Sequence, residues 1–316
     1  KGINDYLWMP GKNYYAQYRY GRVDKIVSPR SEALGEALTV LFGIAGQGRE
    51  KNIIAGTPQL DFGIPCIYPQ IPGIPPYHND AVWPFVQSFW LWAAAKAGNE
   101  EVVMKSIAAI YRPAAMFLTN KENFVAGNGD FLGTQINSSN MLWSLSGNIS
   151  IVHKILFGMY FNENGLAFMP FVPSAFKGNR KLTNFKYRNA MLDITMEGFG
   201  NTIKSFSLDG KMLQQAIVPG NIAGRHSIRI MLGNKAFANS KGKKVKNVVS
   251  VAAQVMNYIN DKLSWPVVKD ASQYKIVKNG AYWQTTAGNS IRIATTGFSE
   301  YSVIALDKNG IESFAS

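Results

Sequence analysis

The chain has 316 residues, 47% hydrophobic and 12% aromatic, enough for two or three domains with real cores and too apolar for a disordered polymer. Its richest apolar stretch, Ala81 to Ala97, is broken by Pro84, Gln87, Ser88 and Lys96, short of the roughly 18 uninterrupted apolar residues of a membrane helix, so no membrane span is expected. The net charge of +13 and the single cysteine, Cys66, exclude an intrachain disulfide and a cysteine zinc site, and bring nucleic acid into question.

Residues 5–27 predict a β-hairpin, with aromatic strands Tyr6–Trp8 and Tyr14–Tyr20 around a Pro10-Gly11 turn. From Ser31 the spacing of Leu34, Leu38, Leu41 and Phe42 predicts a helix capped by Ser28 or Ser31. Six prolines between Pro58 and Pro76 then make a long, pre-ordered loop. Helices are expected at about 80–97, 100–119 and 140–160. The first two are joined only by Gly98-Asn99 and are therefore antiparallel neighbours.

From about Leu166 the period changes to two. Asp193–Gly198, Asn201–Gly210 and Arg225–Leu232 read as short alternating strands of an antiparallel sandwich. A second all-β pattern covers 263–316, after the cluster Lys241–Lys246, which reads as an interdomain linker. Residues 1–163 carry 13 Lys/Arg against 12 Asp/Glu, and 164–316 carry 20 against 8. That excess is spread singly along expected strands, which is the pattern of a solvated basic face; no nucleic-acid partner is expected.

Several blocks in this order resemble the six-hairpin glycosidase superfamily. Tyr77-His78-Asn79-Asp80-Ala81-Val82-Trp83-Pro84 is similar to the segment that opens one inner helix of its α/α toroid, and Asn140–Gly147, with Trp143-Ser144, to the one that opens the final inner helix. Phe168–Leu232 resembles the β-sandwich that follows such toroids in bacterial enzymes. The tail, from Leu263-Ser264-Trp265 to Tyr301–Ala305, resembles a fibronectin type III module. The resemblance implies the C-terminal part of an α/α toroid over 1–164, an antiparallel β-sandwich over 165–240 and a fibronectin type III-like β-sandwich over 247–316. It favours a bacterial periplasmic or extracellular protein, although the sequence by itself fits a cytoplasmic one equally well.

The activity implied is glycoside hydrolysis with inversion, which needs one protonated carboxyl group and one carboxylate that activates water. Counting back from Trp143, the resemblance puts the base at Asp130 in the glycine-rich loop Gly127–Asp130, and puts the acid before residue 1, so this piece alone would hold half of the pair. Asp130 equally suits a turn residue, and Glu122 is a second choice for the base. Glu32 is a further catalytic candidate: with Glu36 at i+4 it places two carboxyl groups on one helix face, where repulsion raises one pKa. A first-turn glutamate is also explained by the helix dipole.

Substrate contacts are expected at Arg30, Tyr77, His78, Asn79, Asp80, Trp83 and Trp143, rings and polar groups of the kind that hold sugars. The carbohydrate would be an oligo- or polysaccharide, with non-catalytic glycan binding or a structural role as the alternative. No P-loop, dinucleotide fingerprint or Gly-x-Ser-x-Gly elbow is present. His78, His153 and His226 lack metal-ligand spacing; no metal or cofactor is expected, with a loop-bound calcium left open. The oligomeric state is left open as well.

Overall fold

The computed structural model describes residues 1–46, 48–293 and 297–316. It divides into two compact units: residues 1–82, 123–137 and 243–316 form the first, and residues 83–122 and 138–242 the second.

In the first unit the aromatic N-terminal stretch forms two small ladders in place of one long hairpin. Trp8–Met9 pairs with Tyr14–Tyr15, and Arg19–Tyr20 with Ile26–Val27. A short helix, Gly2–Tyr6, precedes them. The strand Ser31–Glu32 pairs with Ile67–Tyr68 and leads into the helix Ala33–Leu41, and a further helix, Arg49–Gly56, follows. Arg30 is fully buried. Its Nε donates to the Pro69 carbonyl at 3.1 Å, its Nη2 to Ser250 Oγ at 2.7 Å, and its guanidinium lies 3.9 Å from the centre of the Phe314 ring. The lysine-rich segment is no free linker. Gln59 N–H donates to Lys243 O, Gln70 N–H to Val248 O and Ser250 N–H to Gln70 O, which straps 243–250 along the proline-rich loop. Residues beyond it form two three-stranded antiparallel sheets around Leu263, Trp265, Tyr274, Ile276 and Val303.

The second unit pairs the helices Pro84–Ala97 and Glu100–Phe117. Proline at the first position starts one, Gly98 in the left-handed conformation (φ 79°) ends it, and the Asn99 side chain accepts from Val102 N–H to cap the next. Gln87 Nε2 donates to Ser106 Oγ between them. The helix Leu142–Ser150 runs on into a π-helical turn, Ile151–Leu156. A five-stranded sheet then packs its apolar face, including Leu192, Ile194, Met196, Phe206, Ile228 and Ile230, against a three-stranded one.

Three expectations are corrected. Among the described residues there are six α-helices, and strand (33%) exceeds helix (23%), so the helical hairpins form no α/α toroid, partial or complete. The motifs that carried the resemblance are short helix openings: Trp83 is the N-cap of Pro84–Ala97, and Trp143 lies in the first turn of Leu142–Ser150. Such openings are local and do not specify a ring. The larger sheet is mixed, not antiparallel, because Asn189–Glu197 and Ala223–Leu232 pair in parallel across the intervening Ile203–Leu208 strand connection. The C-terminal segment has six strands among the described residues, against the seven of an immunoglobulin-like sandwich. The fold is β-rich, with a few helices. Among the described residues no helix is long and apolar enough to cross a membrane.

Gly158 turns the chain between the π-helical turn and the three-stranded sheet at φ 63°, where a Cβ would lie 2.0 Å from the Met169 carbonyl carbon. Gly158→Ala is expected to destabilise the second unit by about 3 kcal/mol or more, because backbone must move. Gly233→Ala, where the added Cβ meets only an ordinary 3.6 Å contact, is the control. Denaturant unfolding of both variants checks this; equal stabilities would contradict it.

Candidate functional site

The helix Ala33–Leu41 begins on a carboxylate. Glu32 is its N-cap, with Oε1 accepting from Leu34 N–H at 3.2 Å and Oε2 from Gly35 N–H at 2.7 Å. A Cβ on residue 35 would sit 3.0 Å from Glu32 Oε2, so the glycine lets the side chain fold back over the first turn. One turn on, Glu36 is 2% exposed. Its Oε1 accepts from Tyr15 N–H at 2.8 Å, which ties the helix to the N-terminal hairpin. Its Oε2 is buried with no hydrogen-bond partner among the described residues, and so is Oε1 of Gln17.

These groups line one cavity of about 310 Å3 in the first unit, walled by Ile3, Leu7, Tyr15, Leu38, Phe42 and Ile44. The walls are apolar and the polar groups are few. Burial in such surroundings penalises the charged form of a carboxyl group. Burial therefore pushes Glu36 well above the ordinary glutamate value, against the opposing bond from Tyr15 and with help from the nearby Glu32 charge. Burial raises Glu32 too, while its two backbone bonds and the His78 charge act the other way. The arrangement can hold a proton on Glu36 under conditions where a free glutamate has lost it, and can deliver it to whatever enters the cavity.

The other expected residues are placed as follows. Tyr77 and His78 pack ring on ring at 4.7 Å, and His78 is close enough for its charge to act on Glu32. Asn79 is buried and braces the proline-rich loop, accepting from Ile71 N–H and donating to the Ile71 and Ile74 carbonyls. Asp80 accepts from Asn247 Nδ2 at 2.7 Å, and its N–H donates to Gln70 Oε1. Arg30 is buried in the contacts described above. Asp130 Oδ1 accepts from Leu132 N–H at 3.0 Å, closing a turn, and Asp130 does not line the Glu36 cavity. Trp83 and Trp143 belong to the second unit, where their rings meet at 5.7 Å; Trp143 also packs on Phe85 at 5.4 Å and stays 40% exposed.

Gln17 was not expected in the site. It is the one amide side chain in the Tyr14–Tyr20 stretch, and that composition is the only trace it leaves in the sequence. In the second unit His226 Nδ1 bonds Asp209 Oδ2 at 2.6 Å and Nε2 bonds the Ala223 carbonyl at 2.9 Å. The Asp209 bond and then the Ala223 bond raise the His226 pKa. Ser227 Oγ reaches the same aspartate and not the imidazole, so these three residues make no nucleophilic triad. Among the described residues no group of three or more His, Cys, Asp or Glu side chains could hold a metal ion. No protein-family model matches the chain, and no curated protein matches it either.

Because the folded-state value of Glu36 lies above the unfolded one, the folded chain binds more protons in between. Its contribution to stability is complete below about pH 4.3 and is lost as pH rises through the folded value. Glu36→Gln keeps the shape and removes the titration. Melting temperatures of the two proteins are expected to diverge in favour of the variant as pH is raised from about 4 toward about 8. A constant difference across that range would contradict the burial argument.

Proposed function

We propose that the chain hydrolyses the glycosidic bonds of an oligo- or polysaccharide, with Glu36 as the general acid and Glu32 as the group that activates water. One observation supports the reading: two carboxyl groups a helical turn apart, both raised in pKa by burial, share one cavity, and one of their oxygens has no hydrogen-bond partner among the described residues. Glycosidases work with such a pair, one protonated and one ionised, flanking the scissile bond. Glu36 gives its proton to the leaving oxygen as the C–O bond breaks, Glu32 takes a proton from the incoming water, and the new hydroxyl forms with inversion. Solvent returns the proton from Glu32 to Glu36. Leu7, Tyr15, Leu38 and Phe42 offer apolar surface to the ring face of a sugar. The cavity lies at the small end of the range for small-molecule sites, which suits the end of a sugar chain.

A second reading, glycan binding without turnover, is favoured by Trp143. Its ring is partly exposed and held at a fixed angle by Trp83 and Phe85, a ready stacking surface. Chromatography of the sugars released from a set of oligosaccharides separates the two. Hydrolysis is expected, reduced about 10²–10⁴-fold by Glu36→Gln and much less by Trp143→Ala. Release unaffected by Glu36→Gln would overturn the proposal. Glycan retention without release, lost on Trp143→Ala, would replace it with the second reading.

A further inference from the structure

The five-stranded sheet of the second unit has one face in the core and one outward, and the outward face is not uniform. At its end a groove of about 420 Å3 is lined by Asn179, Arg180, Lys181, Thr195, Glu197 and Arg229, among others. Strand register explains why these meet. Lys181 stands opposite Thr195 on the antiparallel neighbour, and Thr195 stands opposite Arg229 on the parallel one. Strands lie about 4.8 Å apart, so the two cationic side chains rise from positions about 10 Å apart with a threonine hydroxyl between them.

The cations differ in how far they are satisfied. Arg180 donates to the Gly198 and Phe176 carbonyls, and serves as a fixed wall. Arg225, further along the face, is already taken up by Asp193 and Asn184. Arg229 approaches Glu197 only to 3.6 Å, longer than a hydrogen bond, with 65% of its side chain exposed. Lys181 has no ion pair among the described residues. Two positive groups therefore lack a full partner at the edge of a formed groove; the Thr195 hydroxyl lies between them, and the Asn179 amide and Glu197 carboxylate pair two residues further along the strands.

We propose that this groove binds a carboxylate-bearing sugar chain, an oligouronate, with Lys181 and Arg229 on its carboxylates and Asn179, Thr195 and Glu197 on its hydroxyls. The charge pattern selects this occupant. A guanidinium fork matches a carboxylate in bidentate geometry, and a neutral sugar would leave both cations unanswered. Single-stranded nucleic acid needs aromatic rings for its bases, and the groove lining has no aromatic residue. Thr195 Oγ1 donates to the Ile228 carbonyl, which leaves its lone pairs to accept from a sugar hydroxyl.

The test is calorimetric titration of the full chain with an oligogalacturonate and with a neutral oligoglucoside of the same length. The oligouronate is expected to bind and the neutral sugar not to. Lys181→Gln or Arg229→Gln should each weaken binding about tenfold, and the double variant should abolish it with an unchanged melting temperature. Added salt should weaken it as well, since the site is exposed. Equal binding of the neutral sugar, an unchanged affinity in the double variant, or equally tight binding of single-stranded DNA through the same residues would each overturn the proposal. Binding is read without turnover and on residues that do not include Glu36, so this inference can fail while the hydrolase reading stands, and the reverse.

Discussion

A carboxyl group removed from water with no cation beside it must either carry a proton or cost the fold several kcal/mol. Glu36 is in that position. Its one bond, from Tyr15 N–H, fixes the helix Ala33–Leu41 against the N-terminal hairpin, and the second oxygen is left facing apolar walls. The cavity wall depends on that one bond, while burial raises the pKa of Glu36 against it. Were Tyr15 N–H satisfied elsewhere, helix and hairpin would lose the contact that holds the wall in place.

What keeps the hairpin there is Arg30. Its carbonyl accepts from Gln17 N–H at 2.9 Å, its side chain reaches the proline-rich loop and the strap at Ser250, and Phe314 covers its face. A buried arginine is expensive unless its donors are met; sequence-distant segments supply acceptors for Nε and Nη2, while Nη1 has no hydrogen-bond partner among the described residues. The next two residues, Ser31 and Glu32, pair with Ile67–Tyr68 and start the helix. Arg30, expected to touch substrate, is thus two positions from the helix cap Glu32 and supports it from within the fold.

The legible parts of the sequence were those decided locally. Glycine in the left-handed conformation and asparagine at the next cap are short-range signals, and Gly98-Asn99 separates the two longest helices as expected; the first starts at Pro84 and not near residue 80, because Asp80 has a positive φ and Ala81–Val82 pairs as a strand. The i, i+4 spacing of Glu32 and Glu36 was legible for the same reason. The parallel pairing of Asn189–Glu197 with Ala223–Leu232 was not, because alternation reports which face of a strand is buried and is silent on its neighbour's direction. The toroid expectation failed where local motifs were extended to an architecture. Trp83 and Trp143 do open helices, but a helix opening carries no information on how many helices surround it. The burial that separates Glu36 from Glu32, and leaves Gln17 beside them, arises from contacts with residues 3–7 and 42–44 and has no signature in spacing.

The claim on which the site depends is the proton on Glu36. Infrared difference spectroscopy of the wild-type chain against Glu36→Gln, recorded across a pH titration, observes that proton directly through the carbonyl stretch of a protonated carboxyl group. A band absent from the variant is expected to persist to a pH well above the ordinary glutamate value. A band that disappears near that value, or one that the substitution leaves unchanged, would contradict it.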